Sequence, residues 1–156
     1  PHDDADNVAV IASNGDGRRA AFVTDLGEPT IELMKHLAGC EHISIEANYD
    51  LNRLISGPYP PSLKKRISGR GGHLSNRQTA DILAEVLHPQ LSSIVLCHLS
   101  EKNNAPHIAE SEVLHQIGER FDGVLSISKQ EGPEFSNLLG QGELEKINST
   151  LGDSTQ

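Results

Sequence analysis

Asp25, Glu46, His73 and His98 are the residues of this 156-residue chain whose types and placement could do chemistry. Asp25, Glu46 and His98 each stand just past the C-terminal end of a predicted strand. His73 and Ser75 sit in the Gly-rich stretch Gly69-Arg70-Gly71-Gly72-His73-Leu74-Ser75-Asn76. Carboxylates and imidazoles suit Zn²⁺, Mn²⁺ or Fe, and a pair of such ions sharing a bridging carboxylate can activate water for attack on phosphorus. Each residue also has a plainer explanation. An Asp at a strand end can simply form a turn, and a His beside an apolar strand can be a satisfied rim side chain. Spacing alone leaves both open.

The elements that must hold these groups alternate between strand and helix. Residues 8–12 and 20–24 read as a hairpin around Asn14-Gly15-Asp16-Gly17, the second strand ending at Asp25. Glu28-Pro29 then opens a helix with Ile31, Met34, Leu37 and Ala38 on one face and Gly39 at its close. Residues 42–45 form a strand that delivers Glu46. A Pro-rich turn at 57–61 leads to a helix over 62–68, and glycines force a loop at 69–72. A third helix, capped by Ser75 or Asn76, aligns Ala80, Leu83, Ala84 and Leu87 and stops near Pro89. A buried strand over 92–97 ends at His98. A fourth helix, from Asn104 or Ala105-Pro106, turns Val113, Leu114, Ile117 and Phe121 inward, and a last strand covers 124–127. This alternation is an α/β pattern, and such sheets collect ligand sites at the C-terminal ends of their strands. From Gln130 onward the chain is polar and nearly aperiodic, which predicts a loose tail.

Charge is distributed unevenly. The chain carries a net −9, yet residues 51–80 hold six basic side chains, Arg53, Lys64, Lys65, Arg66, Arg70 and Arg77, and no acidic one. A solvated basic face would look like this, and so would a local site for a phosphodiester backbone on a protein that elsewhere repels it. No apolar run approaches the roughly 20 residues of a bilayer span, and the first residues lack a signal-peptide pattern, so a cytoplasmic protein is expected. Cys40 and Cys97 make no disulfide framework or zinc-knuckle spacing and read as reduced, buried thiols. The sole methionine is Met34, so the chain is expected to be processed or to be the C-terminal part of something longer.

Several longer strings carry a resemblance. Thr24-Asp25-Leu26-Gly27, Ile45-Glu46-Ala47-Asn48-Tyr49-Asp50, Gly57-Pro58-Tyr59-Pro60, Leu63-Lys64-Lys65-Arg66-Ile67, Gly72-His73-Leu74-Ser75-Asn76 and Cys97-His98-Leu99-Ser100 with Asn103-Asn104 resemble the C-terminal half of a metallo-β-lactamase-fold hydrolase. The nearest branch is that of small bacterial exonuclease-like proteins. The likeness runs from Pro1 to about Lys129, and the fold it implies is half of an αββα sandwich, a mixed sheet with flanking helices. It implies two divalent metal ions, Zn or Mn, with His2 and His98 as ligands and Asp25 as the bridging ligand. Glu46 and His73 are similar to a Glu and His pair of ribonuclease Z, thought to protonate the leaving oxygen. The other reading of Glu46 is structural, as an acceptor for the loop at Asn48 and Asp50.

Under the same resemblance Lys64, Lys65, Arg66 and Arg70 guide a nucleic-acid backbone, expected to be DNA, while Ser75 and Asn76 either offer groups to a phosphate or serve only as caps. The family's first ligand string, His-x-His-x-Asp-His, occurs nowhere in these residues. The expectation is therefore a metal-dependent phosphodiesterase whose missing N-terminal half completes the site, with this half inactive alone. Two alternatives stand beside it: a non-catalytic binding or regulatory module that keeps the fold, and a lactonase-type small-molecule hydrolase, which the basic strip disfavours.

Overall fold

The computed structural model describes residues 9–129. His2 and the tail at 130–156 lie outside the described residues. The predicted hairpin forms from β1 (Val10–Ser13) and β2 (Arg19–Val23), paired antiparallel with Val10 opposite Phe22. The Asn14 side chain accepts from the backbone N–H groups of Asp16 and Arg18, and Gly17 supplies a left-handed residue at φ 82°.

The remaining elements are α1 (Ile31–Leu37), β3 (His42–Glu46), α2 (Leu51–Ser56), α3 (Pro61–Ile67), α4 (Asn76–Val86), β4 (Ser93–Cys97), α5 (Pro106–Ile117) and β5 (Val124–Ile127). The sheet order is β1-β2-β3-β4-β5, with β2 to β5 all parallel. Each parallel crossover moves one strand over in the same direction. Because such connections are right-handed, the core helices α1, α4 and α5 fall on the same face of the sheet.

Burial alternates accordingly. Ala21, Val23, Ile43, Ile45, Ile94 and Leu96 are buried towards the helices, where Leu33 and Leu37 of α1, Ala80, Ile82, Leu83 and Val86 of α4, and Ala109, Val113 and Ile117 of α5 meet them. A fully buried Ile or Leu of this kind contributes about 2 kcal/mol. On the opposite face Val10 and Phe22 are each 53% exposed and Val124 is 41% exposed. A mixed sheet with helices on one side bears out the α/β expectation and is what half of a two-sheet sandwich looks like. Among the described residues no helix is long and apolar enough to cross a membrane.

Several local expectations need correction. α1 is capped by Thr30, whose hydroxyl accepts from Leu33 N–H, so Glu28-Pro29 precedes the helix. Its buried stripe is Leu33 and Leu37, an i,i+4 pair, while Ile31 is 78% exposed and Ala38 is exposed. In α5 the inward stripe is Ala109, Val113 and Ile117, leaving Leu114 outside. Phe121 reaches the core from beyond a 3₁₀ turn at Gly118–Arg120 rather than from the helix. In α4 the stripe includes Ile82 and Val86, with Ala84 and Leu87 only partly covered. Helix α2 was not anticipated. Its signal is Asp50, which caps it by accepting from Arg53 N–H, but six residues are too few for periodicity to register. Cys40 is buried; Cys97, on the open face of β4, is only partly so, and both are free thiols.

Candidate functional site

The C-terminal ends of β2, β3 and β4 lie side by side, and each delivers one polar residue. Val23 pairs with Ile45 and Glu46 with Cys97, so Asp25, Glu46 and His98 emerge at one edge of the sheet. Asp25 (φ 56°) and His98 (φ 53°) are, among the described residues, the non-glycine residues with positive φ. Both types tolerate the left-handed region better than most. Such backbone strain collects at functional sites and persists only where surroundings hold it.

Glu46 does the holding. Its side chain is fully buried, and its Oε1 accepts from Leu26 N–H at 3.0 Å and Leu74 N–H at 2.8 Å. Oε2 accepts from Asp25 N–H at 3.0 Å and lies 2.8 Å from His98 Nδ1 and 3.2 Å from His73 Nδ1. One carboxylate thus ties the loop after β2, the approach to α4 and the end of β4 into a single unit. Burial pushes its pKa up, but the hydrogen bonds from His73, His98 and Leu74 N–H outweigh that and hold it at about 2. An ionised carboxylate only accepts, so we assign Nδ1–H to both imidazoles, which puts their lone pairs on Nε2. The bond to Glu46 raises the pKa of His98 against the opposing effect of burial. The two rings meet edge to face, centroids 5.2 Å apart.

Asp25 Oδ1 lies 3.8 Å from Nδ1 of each histidine. Ligand atoms of Asp25, Glu46, His73 and His98 all fall within 4.8 Å of one another. That donor set, imidazole nitrogen with carboxylate oxygen, fits Zn²⁺ or Mn²⁺. Glu46 already accepts five hydrogen bonds, which suits it to orienting the two histidines rather than to ligating. The structural reading of Glu46 is corrected in detail, because its backbone partners are Asp25, Leu26 and Leu74 rather than the loop at Asn48 and Asp50.

The backbone of the predicted basic segment packs closely against this edge. A Cβ on Gly27 would stand 2.2 Å from Arg70 O, and one on Gly72 would stand 2.1 Å from Ile67 O and 2.3 Å from Arg66 O. Only glycine lets the 69–72 loop lie against the Asp25 loop and the end of α3. His73 N–H donates to Ile67 O, joining His73 directly to the basic helix. Lys65 and Arg66 are exposed on α3; Lys64 donates to Ile55 O, and Arg70 pairs with Glu28. Of the other two basic residues in the window, Arg53 donates to Asn104 O and Arg77 pairs with Asp81 and Glu112.

For Ser75 and Asn76 the contacts are those of caps. Ser75 forms a capping box with Gln78, and Asn76 is 2% exposed, its amide exchanged with that of Asn104 at 2.9 and 2.7 Å. Asn104 also donates to Ala47 O and accepts from Ala105 N–H. This buried amide pair locks the starts of α4 and α5 to the end of β3. Asn104 carries a positional role that sequence reasoning saw only as a helix start; its one signal was the adjacent Ala-Pro step.

The chain is 32% identical over 121 residues to a Bacillus anthracis protein named Exodeoxyribonuclease YycJ, covering 78% of this chain and 46% of that protein. It is also 32% identical over 109 residues to the Streptococcus pneumoniae protein named Exodeoxyribonuclease WalJ, covering 70% of this chain and 40% of that relative. The chain therefore spans less than half the length of the curated relatives it matches. No family model matches it.

Proposed function

We propose that this chain is the C-terminal half of a metal-dependent phosphodiesterase of the metallo-β-lactamase fold, acting as a DNA exonuclease. Residues 1–129 form that half-domain and 130–156 a polar tail. The observation that carries the reading is the convergence of Asp25, His98 and His73 on the buried Glu46 carboxylate at the C-terminal ends of parallel strands. The exodeoxyribonuclease names of its relatives and the one-faced sheet support it.

Asp25 and His98 hold metal in this reading, with His2 a further ligand. Bound divalent ions would supply Lewis-acid stabilisation and an activated water. Glu46 keeps both imidazoles fixed through Nδ1. His73, oriented by Glu46, serves as the general acid that passes a proton to the leaving oxygen. Lys64, Lys65, Arg66 and Arg70 line the approach for the DNA backbone, while Ser75 and Asn76 act through the α4 cap. The free thiols Cys40 and Cys97 suit a reducing cytoplasm.

Asp25, His98 and His2 are too few ligands for two metals, so residues of the missing N-terminal half complete the site and these 156 residues alone do not turn over DNA. The test is elemental analysis and DNA hydrolysis with Mn²⁺ or Zn²⁺, on this chain alone and joined to the remainder of a full-length relative. Metal uptake that is lost in Asp25→Ala and His98→Ala, with hydrolysis only in the joined protein, is expected. Turnover by the chain alone, or metal retention in both variants, refutes the reading.

A further inference from the structure

We propose that the cavity of about 300 Å³ beside the two histidines receives one unpaired nucleobase of a DNA end, stacked on Tyr59. This rests on the nuclease reading above and names the part of the substrate that sits there. His73 and His98 both line the cavity, so whatever fills it lies beside the groups assigned to the chemistry. Tyr59, only partly buried, lines it as well. In a chain with 3% aromatic residues the other tyrosine, Tyr49, is 3% exposed and belongs to the interior. A half-open aromatic ring next to a candidate phosphodiesterase site is the surface on which a base of any sequence can stack.

The rest of the lining agrees. Ile67 and Leu99 give apolar walls, and Lys102 Nζ lies 5.7 Å from the Tyr59 ring centroid. That is near the outer limit of a cation–π contact, so the exposed lysine can yield the ring face to a base and move to a neighbouring phosphate. Glu101, the acidic side chain of the lining, disfavours a phosphate beside it and suits an uncharged base there. A base within a duplex is stacked and paired and cannot enter. The cavity therefore selects a frayed end or single strand.

The test uses this full chain and fluorescence anisotropy with two labelled 12-nucleotide probes, oligothymidylate and its fully abasic counterpart. The wild type is expected to bind the thymidylate about tenfold more tightly than the abasic probe, on the scale of one stacked base. Tyr59→Ala should bind both probes equally and keep the wild-type affinity for the abasic one, which shows that the fold and the basic strip survive. Tyr59→Leu, which keeps bulk without a π face, should behave alike, and Tyr59→Phe should match the wild type. If the variants discriminate as the wild type does, the base subsite is wrong and the nucleic-acid reading stands. If the wild type binds neither probe, the nucleic-acid reading fails and the subsite with it.

Discussion

His98 Nδ1 lies 2.8 Å from Glu46 Oε2, an imidazole at the end of β4 fixed by a buried carboxylate at the end of the adjacent β3. The same oxygen holds His73 and the backbone of Asp25, so the candidate site is as rigid as one side chain makes it.

Replacing that side chain tests this directly. Glu46→Gln keeps the size but turns an amide NH₂ towards groups that donate, leaving buried N–H groups of Asp25, Leu26 and Leu74 partly unpaired. A loss of about 3 kcal/mol in urea unfolding is expected. An unchanged midpoint would show that Glu46 does not organise the loops.

Acid should unfold the protein through the same group. Glu46 has a folded pKa of about 2 against an ordinary 4.5, a difference of about 2.5. At 1.36 kcal/mol per unit this is worth about 3 kcal/mol, fully present above pH 4.5 and lost as the pH falls towards 2. His98 acts in the opposite sense: its raised pKa gives stability below its unfolded value that is lost as the pH rises through its folded value. Stability measured by denaturant at pH 3 and pH 6 should therefore differ far less in Glu46→Gln than in the wild type. Equal pH dependence in both proteins would refute the assignment.

The two close-packed glycines should be intolerant. Gly72→Ala places a Cβ 2.1 Å from a backbone carbonyl oxygen, which must displace the loop carrying His73, and we expect a cost above about 2 kcal/mol. Gly15→Ala, with nothing within 4 Å, should be nearly neutral. Thermal unfolding of the pair decides it, and similar effects at both positions would contradict the packing.

The exposed cations of α3 should contribute to DNA affinity without sequence preference. Lys65→Glu and Arg66→Glu are each expected to weaken single-strand binding and to reduce the slope of log K against log salt by about 0.7. A slope unchanged in both variants would return the basic strip to an ordinary solvated face.

Much of this protein was legible in its residue order. Alternation of apolar runs with 3.6-residue stripes marked β3, α4 and β4, turn chemistry marked the hairpin, and the strand-end positions of Asp25, Glu46 and His98 could be read directly, because these are local properties of the chain. Which stripe of α1 and α5 faces the core was not legible: Leu33 rather than Ile31, and Ala109 rather than Leu114, is decided by where the sheet lies. Nor could the sequence say that one oxygen of Glu46 would gather Asp25, His73 and His98 from positions up to 52 residues away. That convergence depends on strand register and on the two glycines that let the loops touch, and both exist only once the sheet has formed.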